Sequence, residues 1–181
     1  MILNICLNVY NMKNFIPRGN KTRKDRIKTN VAKVYPFSAC AVSLSNDVNI
    51  NLIYRSLANF AGTEFFIIGS KEWHQGATNG LEDIIKITYF KTINEFLLYI
   101  KTTQYSLVAI EQTESSESLM TFKHPKKPCF MFGHESYGLT SDVMVWSDHI
   151  VDIPIEGHHP SFNVGVCAGI VMYDFVNKYD R

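Results

Sequence analysis

No Cys-x-x-Cys pair, no His-x-x-x-His and no His-Glu-x-x-His occurs in these 181 residues, so the spacings from which zinc sites are built are missing. The four cysteines, Cys6, Cys40, Cys129 and Cys167, stand far apart. The last three lie in apolar surroundings that suit reduced core thiols, and neither a disulfide nor a metal is expected. His158 and His159 are adjacent, so regular structure would point them in different directions. No apolar run approaches the roughly 18 residues of a membrane span. The opening MILNICLNVY lacks the basic start, the long apolar stretch and the small-residue cleavage site of a signal peptide. A cytoplasmic protein without a membrane partner is expected. No Gly-x-Gly-x-x-Gly opens a helix after the first strand, which removes the usual dinucleotide fingerprint. Gly133 and Gly138 have the spacing of a P-loop, but Leu139 stands where the phosphate-binding lysine belongs and Glu135 would repel phosphate. Binding of a nucleoside triphosphate is rejected on that ground.

Apolar residues make up 46% of the chain and charged residues 19%, ordinary values for a globular protein of one domain. The net charge is only +1, yet it is unevenly spread. Residues 1–33 carry eight Lys or Arg against Asp25 alone, and the remainder carries 10 basic and 16 acidic residues. The reading is a basic N-terminal extension over residues 1–36 followed by one domain over 37–181. Such an arm suits phosphate contacts with a polyanion, and equally a solvated leader.

Past the arm, strand-like and helix-like patterns alternate. FSACAVSL (37–44) reads as a buried strand and INLIYRSLANFA (50–61) as a helix, with Leu52, Ile53, Leu57, Phe60 and Ala61 toward a core and Gly62 as its stop. FFIIG (65–69) is a second strand; KEWHQGATNG connects it to IIKITYF, TINEFLLYIKTT reads as helix and SLVAIEQT as strand. A Ser/Glu-rich loop at 113–118 precedes the strand CFMFG, the short helix TSDVMVWSD, the strand HIVDIPI and a long final helix, NVGVCAGIVMYDFVNKY. This order predicts an α/β domain with a largely parallel sheet and helices on both faces. Val164, Val166, Cys167, Ile170, Val171, Phe175 and Val176 cover much of the last helix, which suits a central buried position or a subunit interface.

In an open parallel sheet, ligands bind beyond the carboxyl ends of strands. Three loops at such positions carry unexpected residues: GHESYGL (133–139), IPIEG (153–157) and HPSFN (159–163). Glycines allow close backbone approach, Glu135 supplies an acid, and Ser161 can cap the final helix with Asn163 in its first turn. A cavity walled in this way suits a small polar, partly cationic ligand.

GHESYGL, IPIEG and PSFNVGVCAGIVMYDF together resemble motifs two and three of the TrmH-like (SpoU) ribose 2′-O-methyltransferases of the SPOUT superfamily, whose usual forms are GNExxGL/I/V, IPxxG and SLNVxxAxxI. Motif one, N-x-G-x-x-x-R, is similar to NINLIYR, with its Asn at Asn49 and its Arg at Arg55. LVAIEQTESSESL is similar to the strand and loop before motif two. The resemblance runs from about residue 38 to the C-terminus. It implies a trefoil-knotted, dimeric α/β fold, S-adenosylmethionine held in the knot, and RNA bound across two subunits, with tRNA preferred over rRNA. It further implies that Ile110, Gly133, Ile153, Ser161 and Phe162 contact the cofactor. Arg55, Asn49, Glu135, Ser161 and Asn163 would form the catalytic set, Arg55 binding phosphate or the forming oxyanion. Departures fall at Asn51 for the motif-one Gly, His134 for Asn, where a hydrogen-bond donor is expected to persist, and Phe162 for Leu. A catalytically inactive RNA-binding dimer that kept the fold is the alternative.

Overall fold

The computed structural model describes residues 34–69 and 85–179; the basic segment 1–33 with Cys6, and the connection at 71–80, lie outside them. The elements run β1 (Ser38–Val42), α1 (Asp47–Asn59), β2 (Glu64–Ile68), β3 (Lys86–Phe90), α2 (Ile93–Ile100), β4 (Ser106–Ile110), β5 (Glu117–Ser118), β6 (Pro128–Phe132), α3 (Ser141–Val145), β7 (His149–Asp152) and α4 (Val164–Tyr179). The seven strands form one sheet in the order β3-β2-β1-β6-β4-β7-β5, and every pairing in it is parallel. The expected α/β class with a parallel sheet is therefore present.

Strand side chains alternate between faces, and that period divides the core in two. Ala39 and Ala41 of β1, Phe65 and Ile67 of β2, and Phe130 and Phe132 of β6 pack with Ile50, Ile53, Tyr54 and Leu57 of α1 and with Ala168, Val171, Met172 and Phe175 of α4. Their neighbours Cys40, Val42, Phe66, Ile68, Cys129 and Met131 face the other way, onto Phe96, Leu97 and Ile100 of α2 and Val143 of α3. Helices thus cover both faces, as a parallel sheet requires. Burial pushes the Cys40 thiol well above its ordinary pKa and the Cys129 thiol up to about 12, so both stay protonated inside this core.

Three sequence expectations shift. α1 starts at Asp47 rather than at residue 50, because Asn46 caps it, its side chain accepting from the Val48 amide at 2.8 Å. Its core face is accordingly Ile50, Ile53, Tyr54 and Leu57, and Leu52 is 37% exposed. The helix ends at Asn59, and Ala61 rather than Gly62 takes the left-handed conformation, at φ 56°. The Gly62 amide then closes the end by donating to the Leu57 carbonyl (3.0 Å), a Schellman arrangement. Within the expected loop at 113–118 the chain forms the two-residue strand β5, beside β7. Among the described residues no helix is long and apolar enough to cross a membrane.

α1 and α4 lie side by side and cross closely at one point. A Cβ placed on Gly165 would stand 2.6 Å from the Leu52 Cβ, a separation that only a bare glycine backbone permits. This approach sets the start of α4 against the first turns of α1. We expect Gly165→Val to destabilise the protein by about 1–3 kcal/mol through overpacking, read as a lower urea midpoint at unchanged slope; an unchanged midpoint would show that the crossing tolerates a side chain.

Candidate ligand-binding site

β1, β6, β4 and β7 are contiguous and parallel, so their carboxyl ends open along one edge. A cavity of about 590 Å³ lies there, at the exits of β4, β6 and β7 and the entry to α4. Ile110, Gly133, Ile153, Ser161 and Phe162, the residues expected around a cofactor, all line it, as do Glu135 and Asn163. The three loops singled out in the sequence converge on one space. Asn49 does not line it but is bonded to two residues that do; Arg55 lies elsewhere, exposed on α1.

Glu135 ties these loops together. Its Oε2 accepts from the Ser45 amide (3.1 Å) and hydroxyl (3.0 Å), and its Oε1 from the Asn46 amide (3.2 Å) and the Asn49 Nδ2 (2.8 Å). Asn49 Oδ1 in turn accepts from Asn163 Nδ2 at 3.0 Å, and Asn163 Oδ1 accepts from the Gly165 amide at 2.9 Å. One carboxylate thereby joins the exit of β6 to the start of α1 and, through two amides, to the start of α4. Partial burial pushes the Glu135 carboxyl upward, but the bonds from Asn49, the backbone and Ser45 outweigh it and bring its pKa down to about 2. Its place at the amino end of α1 favours the anion further.

A second carboxylate braces the same turn. Glu111, just past β4, accepts from the Leu139 amide at 2.8 Å and from the Gln112 amide at 3.1 Å. Gly138 takes φ 65°, and a Cβ there would fall 2.2 Å from Glu111 Oε2. Gly133 packs backbone on backbone, with the Gly138 carbonyl carbon 2.3 Å from where its Cβ would be. Reciprocal bonds between His134 and Gly138 (3.1 and 2.8 Å) close the loop into a tight hairpin. Beyond β7, His159 Nδ1 donates to the Ser161 carbonyl at 2.8 Å, shaping the entry to α4.

Glu111, Glu135 and Asp152 give the cavity negative charge, and no Lys or Arg is among its lining residues. Ile110, Phe132, Ile153 and Ile155 add apolar surface. An anionic ligand would meet repulsion here; a cation carrying a flat apolar group fits. Cys167, also on the wall, has its thiol pushed up to about 11 by burial, so it is no nucleophile at neutral pH. Among the described residues no group of His, Cys, Asp and Glu could hold a metal ion.

Residues 36–173 match the model of the SpoU rRNA Methylase family. The chain belongs to that family. Its curated relatives include the tRNA (cytidine-2′-O-)-methyltransferase TrmJ of Sulfolobus acidocaldarius, 26% identical over 145 residues, covering 74% of this chain and 62% of the relative. Another is the tRNA (guanosine(18)-2′-O)-methyltransferase of Borreliella burgdorferi, 28% identical over 111 residues, covering 61% and 46%. This chain therefore spans about half to three fifths of those relatives. Among solved structures, the A. aeolicus TrmH/SpoU tRNA modifying enzyme superposes with a TM-score of 0.72 at 21% identity, over 82% of this chain and 77% of that one. The SpoU methyltransferase AviRb from Streptomyces viridochromogenes, crystallised in complex with AdoMet, gives 0.71 at 18% identity, over 82% and 60%.

Within this SpoU-family chain, the departures from the usual motifs have physical accounts. His134 Nδ1 accepts the Ser136 amide at 3.0 Å, the role that an Asn side chain plays in an Asx-turn, and the donor expected of this residue falls to Nε2. Asn51 turns its Nδ2 back onto the Asp47 carbonyl (2.8 Å) inside α1, away from the cavity. Phe162 is 42% exposed on the cavity wall. Ser161 does not cap α4; Asn163 does, since the helix starts at Val164 and the Asn163 side chain takes the Gly165 amide. Glu111, Ser45 and His159 were not anticipated. Glu111 alone left a signal, as an acid directly after the apolar run SLVAI.

Replacing Glu135 with Gln puts an amide nitrogen where the clamp needs an acceptor. We expect Glu135→Gln to lower stability by about 1–2 kcal/mol at pH 7, since the carboxylate is partly in reach of water. A depressed carboxyl stabilises the fold fully above its unfolded pKa of about 4.5 and loses that contribution as pH falls toward 2. The gap between variant and wild type, read from urea midpoints, should therefore narrow from pH 7 to pH 3; a constant gap would refute the charge-based clamp.

Proposed function

We propose that this chain transfers a methyl group from S-adenosylmethionine to a ribose 2′-hydroxyl of RNA, with transfer RNA as the substrate class. The observation that carries this reading is the cation-suited cavity at which the three motif loops of a SpoU-family chain converge. The names of the relatives, each a tRNA 2′-O-methyltransferase, favour transfer RNA over ribosomal RNA.

In this reading the donor brings a methyl group on a positively charged sulfonium. Gly133, Ile153 and Phe162 would hold it largely through backbone groups, with Ile110 and Ser161 beside them, and the nearby carboxylates match its charge. Glu135 is a positioning residue rather than a base: a carboxyl with a pKa of about 2 and both oxygens occupied is a poor proton acceptor. As the ribose oxygen forms its bond to the methyl carbon, the carbon–sulfur bond breaks and the hydroxyl proton passes to an RNA phosphate or to water. Positive sulfur and developing oxyanion lose charge together, which a dry, preorganised wall favours.

Arg55 is the residue that this scheme needs and that the cavity of one chain does not contain. It lies on the outer face of α1 near Val48, which is 61% exposed, and Leu52; Val166 and Tyr173 of α4 are 48% and 61% exposed. We infer a homodimer that buries these apolar residues and brings Arg55 to the partner's cavity, where its guanidinium would bind a phosphate or the forming oxyanion. Family membership supports the trefoil knot and a cytoplasmic location on the same footing. The basic arm, in this reading, adds phosphate contacts.

Calorimetry with S-adenosylmethionine and ribose-methylation mapping of tRNA from cells with and without the protein test the activity directly. Arg55→Ala should cut turnover by roughly 10²–10³-fold and leave donor affinity unchanged. If Arg55 serves the partner, co-expressed Arg55→Ala and Asn163→Ala chains should recover about one quarter of wild-type turnover, because half the dimers would carry one intact site. No recovery would place Arg55 in its own chain's site, and donor binding without transfer to any cellular RNA would favour an inactive RNA-binding dimer.

A further inference from the structure

The hairpin that closes the cavity carries an aromatic pair that the scheme above leaves unused. The Tyr137 ring is 82% exposed, yet it is not loose on the surface. Its centroid lies 4.8 Å from that of His134, with 33° between the planes, a close, tilted ring pair. The lower ring is itself fixed, because His134 Nδ1 accepts the Ser136 amide and its backbone is bonded in both directions to Gly138. With Nδ1 as acceptor, the neutral imidazole carries its proton on Nε2, which has no partner among the described residues and is left as a donor. Both residues border the cavity.

Resting on the RNA reading, we propose that Tyr137, backed by His134, is a stacking platform for a nucleobase of the RNA beside the methylated ribose. Each part of the geometry points to a base. A flat ring that is already oriented loses little freedom when a second flat group settles on it. The residues between the two rings in the chain are Glu135 and Ser136, and the cavity they border also carries Glu111 and Asp152, so polar and charged groups stand beside the exposed ring. The three carboxylates of the cavity repel a phosphate, so a strand entering here must present its sugar and base and keep its backbone outward. The donor's own adenine is less suited, because the apolar lining at Phe132 and Ile153 lies deeper than the hairpin tip, with Phe132 only 1% exposed. His134 Nε2 can donate to an acceptor on the edge of the stacked base, giving a preference among bases.

The test uses the full chain, a pool of unmodified tRNA transcripts and, separately, S-adenosylmethionine, with affinities compared at one salt concentration and the salt slope taken from a separate series. Tyr137→Ala should weaken tRNA binding by roughly 5- to 150-fold, the range for loss of one stacked base, while Tyr137→Phe stays within about twofold of wild type. His134→Asn keeps an acceptor for the Ser136 amide but removes the lower ring, and should fall between the two. Donor affinity, sedimentation and the salt slope of RNA binding should be unchanged in all three, since stacking neutralises no phosphate. Wild-type affinity in Tyr137→Ala would overturn the platform and leave the proposed activity standing. Loss of donor affinity would assign the pair to the donor pocket, and a change in sedimentation would assign it to a protein contact; either overturns the proposal. A wild-type chain that binds no tRNA would instead sink the RNA reading itself.

Discussion

The carboxylate of Glu135 is the joint on which the site depends. It sits at the amino end of α1 and collects hydrogen bonds from Ser45, Asn46 and Asn49, while its own backbone belongs to the hairpin after β6. Asn49 then spends its two amide groups in opposite directions, donating to Glu135 and accepting from Asn163. Neither amide can rotate without losing a bond, so the assignment of each nitrogen and oxygen follows from its neighbours. The start of α1 is held in one geometry with two segments more than eighty residues further along the chain, by three polar side chains. The sheet contributes the other half: parallel order places the exits of β4, β6 and β7 along one edge, and no loop has to travel far to reach the cavity.

Glycine makes this joint possible at the opposite end of the hairpin. Glu111 occupies the space where a side chain at Gly138 would be, and Gly133 lies flat against the Gly138–Leu139 backbone. The two carboxylates therefore grip one short loop from two sides, Glu135 through its own side chain and Glu111 through the Leu139 amide. A loop held in this way can present backbone groups to a ligand without ordering them at the moment of binding. The same rigidity carries over to the exposed Tyr137, whose support is the hairpin and not the body of the protein.

The sheet, its direction and most of its helices were legible because their signals are local: short continuous apolar runs that become strands buried on both faces, and helices with an apolar stripe. Singly, the Gly, Ser and Asn of these loops serve turns and caps; the motif loops were legible as a set because all three follow strands and their order resembles a known family. What escaped the sequence was long-range. Nothing local says that Glu135 would meet Ser45 across ninety residues, or that Glu111 would brace Gly138. The cap of α4 was misassigned by two positions since Ser161 and Asn163 are both good caps, and the choice fell to Asn163 because its amide also had a partner in Asn49. The strand β5 was hidden in a polar loop, being two residues long and defined only by β7 beside it. Glycine as the stop of α1 was half right: Gly62 closes the turn, but Ala61 bears the left-handed backbone.

Charge divides the labour of the molecule. A cavity shaped for a cation is unfit to hold a nucleic-acid backbone, and its lining residues include no lysine or arginine. If RNA is the acceptor, its phosphates must be met elsewhere, by Arg55, by the basic stretch at 1–33, or by a second copy. The separation has a chemical use. Sulfonium and phosphate attract each other, and a phosphate drawn into the donor pocket would displace the ribose that has to approach. On the proposed reading, the carboxylates among the cavity's lining residues would favour the sulfonium and turn phosphates away, and the paired rings of the hairpin would bear on which nucleotide enters.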